Sequence, residues 1–175
     1  MRSAAVREWS VRLVAVVAVA SIGHVAVAAG RRAPAVALPL ADGTVKRLAD
    51  LRGSVVLVDF WASWCGPCKE SFPALDGLYR ELHARGLEVV AINVDERRRD
   101  AEAFLAGRSP AMTVLFDPKG VAPRLFNVRA MPSSALIDRA GNIRFTHEGY
   151  SAKTLESYRR EIATLLTEPS PKPIG

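Results

Sequence analysis

The stretch that decides the fold is residues 55–68, VVLVDFWASWCGPC, in which an apolar run leads directly into the only two cysteines of the chain. A continuous run of β-branched and large apolar residues is typical of a central strand that is covered on both faces. Gly66 permits a tight turn, and Pro67 suits the first turn of a helix, where a missing N–H loses no partner. The stretch therefore predicts a buried strand, a turn at the cysteines and a helix that begins near Cys68.

The segments outward from this stretch alternate between helical and strand patterns. Apolar residues at positions 75, 78, 79 and 82 form one stripe of a helix, and residues 87–92 read as a second buried strand, which favours a right-handed parallel unit. The other predicted elements are a hairpin around Asp42-Gly43, a helix over 97–106 that Asp95 can cap, a strand over 113–116, a short helix over 121–126, a hairpin of 134–137 with 143–147, and a final helix that Ser151 caps. The sequence therefore predicts an α/β fold with a mixed sheet and helices on both faces.

The first 28 residues have the three-part layout of a secretory signal. Arginines at positions 2, 7 and 12 precede an apolar run over 13–22, and Ala26 and Ala28 supply the small residues of a cleavage site. The alternative is an uncleaved anchor, because the apolar character continues to Ala29, although a full membrane span needs about 20 residues. Either interpretation predicts a domain that works outside the cytoplasm.

The remaining sequence divides into a linker, one domain and a tail. Residues 29–35 are rich in alanine, arginine and proline, and residues 168–175, EPSPKPIG, predict a disordered end. The domain over 36–167 has a common size for one apolar core. Removing residues 1–28 takes away three arginines and one glutamate, so the net charge falls from +6 to +4. The one dense basic cluster, 97–99, lies among acidic residues without an aromatic platform, so no nucleic-acid partner is expected.

The two cysteines permit a metal site, a structural disulfide or a redox pair. A structural zinc site needs four Cys or His ligands, and outside the signal the chain offers only these thiols, His83 and His147, so no metal site is expected. A disulfide that closes so short a loop adds little stability. The spacing therefore favours redox chemistry. Delivery of Cu(I) by the two thiolates with His147 is the alternative from another functional class.

The pattern gives the two thiols different environments. Cys65 lies where the strand ends and the helix begins, so unpaired N–H groups and the helix dipole stabilise its thiolate. Cys68, one helical turn further, is within reach to resolve a mixed disulfide on Cys65. Asp59 lies in an apolar strand, which predicts a raised pKa and a proton acceptor for Cys68, or alternatively a residue at the strand end in contact with water. Trp61 and Trp64 are candidates for either core packing or substrate contact.

On these residues the chain resembles the thioredoxin superfamily, and within it the exported TlpA/ResA-like disulfide reductases. VVLVDFWASWCGPC is similar to the thioredoxin active-site strand and motif, and Met131-Pro132-Ser133-Ser134 followed by ALIDRAGNIR is similar to the cis-proline loop and its hairpin. The resemblance implies a thioredoxin fold over 36–167 with an N-terminal β-hairpin and a central insertion between Asp95 and Met131. It also implies that Pro132 is cis. Thioredoxin pairs its buried aspartate with a lysine, whereas the matching position here is Ala91.

The resemblance implies an exported enzyme that reduces protein disulfides, with a role in cytochrome c maturation or metalloprotein assembly. Its only redox group is the Cys65–Cys68 disulfide, with no separate cofactor, and a membrane electron donor reduces it again. A protein-thiol oxidase, which runs the same chemistry in the opposite direction, stays open. The implied catalytic residues are Cys65, Cys68 and Asp59, and the implied substrate-binding residues are Trp64, Gly66, Pro67, Met131 and Pro132.

Overall fold

The computed structural model describes residues 30–170, so the predicted signal over 1–28 and the end of the predicted tail, 171–175, lie outside the described residues. Four strands open this range, and helices and strands then alternate as far as the β7–β8 hairpin. In chain order they are β1 (Arg31–Arg32), β2 (Ala37–Pro39), β3 (Val45–Arg47), β4 (Val55–Trp61), α1 (Gly66–Leu82), β5 (Leu87–Asn93), α2 (Arg98–Leu105), β6 (Thr113–Phe116), α3 (Val121–Phe126), β7 (Ser133–Ile137), β8 (Asn142–Glu148) and α4 (Ala152–Thr167). Among residues 30–170, no helix is both long enough and apolar enough to cross a membrane.

Six strands form one mixed sheet in the order β1-β8-β7-β4-β5-β6, and β2 pairs with β3 in a separate hairpin. β4, β5 and β6 are parallel, whereas β7 is antiparallel to both β4 and β8. β4 lies near the centre and is buried along its whole length, as the continuous apolar run predicts. The carboxyl end of this buried strand leads directly to the cysteines.

Alternate residues of β4 point to opposite faces of the sheet and build two cores. Leu57 and Trp61 pack beneath α1, α2 and α4, whereas Val58 and Phe60 pack with α3 and the N-terminal hairpin. Each fully buried leucine contributes about 1.5–3 kcal/mol relative to an exposed one. Asp59 has the same parity as Leu57 and Trp61, so its carboxyl group faces the core beneath α1 and α4.

The predicted N-terminal hairpin is confirmed. Ala37 pairs with Arg47 and Pro39 pairs with Val45 across the turn. Gly43 has a φ of 85°, a conformation that glycine adopts without a steric cost. The Asp42 carboxylate accepts the N–H of Thr44 at 2.9 Å and closes the turn.

The structure extends the folded domain beyond both predicted ends. Arg31 and Arg32, in the predicted linker, pair with β8 as an edge strand of the sheet. Glu168, in the predicted tail, accepts a hydrogen bond from Arg144 at 2.7 Å between Nη1 and Oε2. Both segments lack apolar periodicity, and their attachment depends on contacts with β8 that a local pattern does not contain.

The hairpin of β7 and β8 contains one irregularity. Leu136 pairs with Phe145 and Ile137 pairs with Ile143, so Arg144 is an extra residue in β8. The Arg144 guanidinium contacts Glu168 and also Asp138 in the turn of the hairpin. The bulge therefore links the turn to the end of α4.

Candidate active site

The two cysteines lie at the junction of β4 and α1 and form a disulfide, with their Cα atoms 5.3 Å apart. Cys65 is the N-cap of α1 and is 5% exposed, whereas Cys68 in the first turn is fully buried. Cys65 is therefore the sulfur of the pair that offers surface to another molecule.

The first turn of α1 stabilises the Cys65 sulfur. The backbone N–H of Cys68 donates to Cys65 Sγ, with 3.2 Å between N and S. Pro67 lies between the two cysteines and has no N–H of its own, so Cys68 supplies this donor. The helix N-terminus carries a partial positive charge, which favours the thiolate form of Cys65 once the disulfide is reduced.

Gly66 and Pro67 form an exposed edge beside the disulfide. Gly66 does not have a positive φ, and a Cβ at this position would meet no atom within 4 Å. The turn therefore does not depend on glycine, because another residue would fit here without strain. Glycine instead keeps the surface next to Cys65 open.

The two tryptophans of the motif have opposite environments. Trp61 is fully buried, and its ring packs against Phe72 and Phe104 with 4.9 Å between centroids in each pair. Trp64 precedes Cys65 and is 66% exposed. Of the two roles predicted for these residues, Trp61 takes core packing, and Trp64 forms an apolar surface next to the reactive sulfur.

The Met131–Pro132 peptide bond is cis, as the resemblance implies. The loop leads into β7, whose first residue Ser133 pairs with Phe60 near the carboxyl end of β4. Pro132 is buried, and its carbonyl accepts the N–H of Gly149 at 2.7 Å. Met131 and Pro132 therefore lie at the same end of the sheet as the disulfide.

Asp59 is a buried carboxyl group inside β4 and is only 1% exposed. Neither of its carboxyl oxygens has a hydrogen-bond partner among residues 30–170. Burial raises the pKa of Asp59 well above its ordinary value. The residue paired with it on β5 is Ala91, so the lysine of thioredoxin is absent at that position. This environment excludes a position at the strand end in contact with water.

Sequence reasoning missed a pair of hydroxyl groups beside Asp59. Ser134 of β7 pairs with Asp59, and its Oγ lies 2.8 Å from the hydroxyl oxygen of Tyr158 in α4. Both side chains are buried. The available signal was a polar residue at the start of an apolar strand, but the register that places it opposite Asp59 is not contained in that pattern.

Asp95 is a second site residue that the sequence interpretation placed elsewhere. The N-cap of α2 is Arg97, and Asp95 is 3% exposed, so it does not cap the helix. Its carboxylate accepts the N–H of Ser63 at 2.9 Å, the hydroxyl of Ser63 at 3.0 Å and the side-chain amide of Asn93 at 2.7 Å. Asp95 therefore ties the loop before Cys65 to the end of β5.

Comparison with known proteins agrees with this geometry. The family model described as Redoxin matches residues 28–163. The chain belongs to the redoxin family. It is similar to the thiol-disulfide oxidoreductase ResA of Geobacillus kaustophilus, with 31% identity over 140 residues that cover 80% of this chain and 79% of the relative.

Solved structures of other proteins also resemble this redoxin. One, from Chlorobium tepidum and provisionally described as thiol:disulfide interchange protein DsbE, has 46% identity and a TM-score of 0.76, over 79% of this chain and 97% of that one. Another is the exposed lipoprotein thioredoxin Etrx1 of Streptococcus pneumoniae, with 28% identity and a TM-score of 0.66, over 75% of this chain and 100% of that one. The redoxin therefore has the predicted thioredoxin fold, and its dithiol is that of a thiol–disulfide oxidoreductase.

The residue that a copper-delivery protein would use as a third ligand has another partner in this redoxin. Nε2 of His147 lies 2.7 Å from Oε2 of Glu161 on α4. Over residues 30–170, no three His, Cys, Asp or Glu side chains are grouped as metal ligands would be.

Replacing Asp95 with alanine is expected to destabilise the redoxin by about 1–3 kcal/mol, because the N–H of Ser63 and the amide of Asn93 lose their acceptor in a buried site. Urea unfolding of the oxidised protein measures the change. Glu96→Ala is the matched control, because Glu96 is adjacent and exposed, and a change within about 0.5 kcal/mol is expected there. Equal effects of the two substitutions would contradict the role of Asp95.

Proposed function

We propose that this redoxin reduces disulfides in proteins outside the cytoplasm, with Cys65 as the attacking thiol and Cys68 as the resolving thiol. The observation that carries the proposal is the unequal exposure of the two sulfurs. Cys65 is 5% exposed and directly follows the exposed Trp64, whereas Cys68 is fully buried. An incoming disulfide therefore meets Cys65 first.

The first step is the attack of the Cys65 thiolate on one sulfur of the substrate disulfide. A bond forms between Cys65 Sγ and that sulfur, and the second substrate sulfur leaves as a thiolate. The Cys68 N–H that donates to Cys65 Sγ favours the reactive thiolate. The product of this step is a mixed disulfide between the enzyme and its substrate.

The second step resolves the mixed disulfide. Asp59 accepts the proton of the Cys68 thiol, and the Cys68 thiolate attacks Cys65 Sγ. The Cys65–Cys68 bond forms again, and the substrate sulfur leaves as a thiolate. Two electrons have then passed from the dithiol to the substrate, and both substrate thiolates take up protons from solvent. The Cys65–Cys68 pair is the only redox group that this scheme requires.

The substrate chain is proposed to lie across the surface around Cys65. Trp64, Gly66 and Pro67 are exposed on the helix side of the disulfide, and Met131-Pro132 lies at the same end of the sheet. Trp64 offers apolar contact area, and the backbone of Met131 offers hydrogen bonds to an extended peptide. The open surface over Gly66 leaves space for that peptide.

The reducing direction rests on the spacer between the cysteines. Gly-Pro is the spacer of thioredoxin, whose potential is about −270 mV, whereas strongly oxidising relatives have values near −120 mV. Reduction outside the cytoplasm requires electrons from a membrane donor, which we include in the proposal. The layout of residues 1–28 supports export, and so does the similarity to a lipoprotein described as exposed. Apocytochrome c and metalloprotein assembly factors are the substrate classes to test first.

The reduction potential of the Cys65–Cys68 pair tests the direction. The purified protein is equilibrated in thiol–disulfide buffers of graded potential, and alkylation of free thiols measures the reduced fraction. We expect a midpoint potential of about −270 mV for the Cys65–Cys68 pair, together with reduction of insulin disulfides. The Cys65→Ser/Cys68→Ser double variant, which has no cysteine, supplies the blank. A midpoint potential of about −120 mV would instead indicate that the protein oxidises the thiols of its substrates.

A further inference from the structure

A row of polar side chains crosses the sheet on the face that α4 covers. Asp59 of β4 pairs with Ser134 of β7, and Ser134 pairs with His147 of β8. Directly opposite residues of antiparallel strands have side chains on the same face, with Cβ atoms about 4.5–5.5 Å apart. Tyr158 of α4 lies over this row, with its ring edge-on to that of His147 and 5.0 Å between centroids.

Ser134 and Tyr158 bring two hydroxyl groups to the Asp59 side of this core. Their oxygens are 2.8 Å apart, so one hydroxyl donates to the other. This bond uses one of the two hydroxyl protons. The second proton is free to donate to another acceptor, because a hydroxyl group rotates to suit its surroundings.

Among residues 30–170 the Asp59 carboxyl group has no hydrogen-bond partner in this structure. We propose that, when Asp59 is ionised, its carboxylate turns to accept a hydrogen bond from the Ser134–Tyr158 hydroxyl pair, so that both are positioning residues for this base. The inference rests on the proposed role of Asp59 as the proton acceptor for Cys68. A hydrogen bond to an ionised carboxylate is about twice as strong as one between neutral groups, and it favours the charged form. The pair thereby stabilises the Asp59 carboxylate from the side of β7. Ala91, the residue paired with Asp59 on β5, has no polar side-chain group that could do so.

The surroundings keep the pair in the donor state. Burial raises the pKa of Tyr158, so its hydroxyl stays protonated over the working range of pH. The titratable groups on this side of the sheet include Cys65 at the N-cap of α1, Cys68 and Tyr79 of α1, and His147 of β8. They also include Glu161 of α4 and Tyr150 of the loop between β8 and α4, both of which act on Tyr158. His147 and Glu161 contact each other at 2.7 Å.

Infrared titration of the Asp59 carboxyl group in the reduced full-length protein tests the proposal. The band of the protonated carboxyl is assigned by its loss in Asp59→Asn. In Tyr158→Phe and in Ser134→Ala, the midpoint for loss of this band is expected to rise by about one pH unit, because the carboxylate loses a hydrogen bond. Midpoints equal to that of the unsubstituted protein in both variants would overturn the proposal.

Tyr150→Phe is the matched control, since it removes a neighbouring phenol hydroxyl that forms no hydrogen bond with Ser134, and its midpoint is expected to stay unchanged. If Tyr158→Phe fails to fold, Ser134→Ala provides the same test with the phenol retained. Separate measurements test the role of Asp59 as proton acceptor and the role of the hydroxyl pair. Resolution of mixed disulfides at an unchanged rate in Asp59→Asn would remove the role of Asp59 in the reaction, whereas the infrared midpoint tests the hydroxyl pair regardless of that rate.

Discussion

A Cys65→Ser variant is expected to lose disulfide reductase activity by at least about 10³-fold, because it removes the nucleophile of the reaction. The remaining thiol, Cys68, is fully buried and does not reach a substrate disulfide. The rate of insulin reduction with a fixed supply of dithiothreitol measures the loss. The double variant without cysteines gives the background rate, and Cys65→Ser is expected to equal it.

The Cys68→Ser variant is expected to accumulate a mixed disulfide on Cys65, because it keeps the attacking thiol but lacks the resolving one. Non-reducing electrophoresis and mass spectrometry of the extracytoplasmic fraction identify the trapped proteins. Accumulation of mixed disulfides on Cys68 in the Cys65→Ser variant, with none in Cys68→Ser, would reverse the two roles.

The Asp59→Asn variant is expected to resolve mixed disulfides about 10²-fold more slowly at pH 7, because asparagine cannot accept the proton of Cys68. Rapid mixing of the reduced protein with a disulfide-bonded peptide, followed by acid quenching, measures the lifetime of the mixed disulfide. Glu70→Gln is the control, because it removes an exposed carboxylate from the same helix as the cysteines. An equal slowing in both variants would point to a general charge effect instead of proton transfer.

The same Asp59→Asn substitution is expected to stabilise the fold at neutral pH by more than about 1 kcal/mol, and the gain depends on pH. Burial holds the folded-state pKa of Asp59 well above 3.8, the ordinary value that applies to the unfolded chain. As the pH rises above 3.8, the unfolded chain releases a proton that the folded protein retains, so the free energy of unfolding falls. The asparagine side chain of the variant has no such proton to release, and the difference between the two proteins therefore grows with pH.

Urea unfolding of the oxidised proteins at pH 4 and pH 7 checks this dependence. A stability difference that is the same at both pH values would show that packing, and not ionisation of Asp59, sets it. Glu70→Gln is again the control, and its effect on stability is expected to stay within about 0.5 kcal/mol at both pH values.

The elements around the cysteines were predictable because their signals are local. The apolar run before Asp59 identifies β4, the stripe that contains Leu75 and Leu78 identifies α1, and the run after Gly86 identifies β5. The positions of Cys65 and Cys68 follow from the same junction of strand and helix. These features depend on the spacing of apolar residues within one segment, and that spacing is read directly from the sequence.

The features that were missed depend on contacts between distant segments. Asp95 bonds to Ser63, 32 positions earlier, and Ser134 bonds to Tyr158, 24 positions later. An aspartate just before a helix has the local pattern of a cap, and only the fold shows that Asp95 turns toward the cysteine loop. In both cases, buried polar groups from two distant segments form a hydrogen bond, and the sequence of either segment alone does not show its partner.

Position relative to the sheet distinguishes residues that look alike in the sequence. Trp61 and Trp64 belong to one short motif and have the same residue type, yet β4 ends between them, so one ring enters the core and the other meets solvent. The pairing of Arg31 and Arg32 with β8 is a further example, since two arginines have no strand pattern of their own.

The bulge at Arg144 divides the hairpin of β7 and β8 into a turn end and an end that lies beside Asp59. A shift of one residue in strand register would move Ser134 away from Asp59 and into the opposite core. The bulge lies between the turn and Ser134, and the turn has anchors of its own. The Arg139 guanidinium donates to the carbonyls of Leu165 and Glu168, and the Arg139 carbonyl accepts the N–H of Gly53. A change of length at either end of the hairpin would therefore break contacts with another segment: the end of α4 at the turn, or Asp59 at the end beside Pro132.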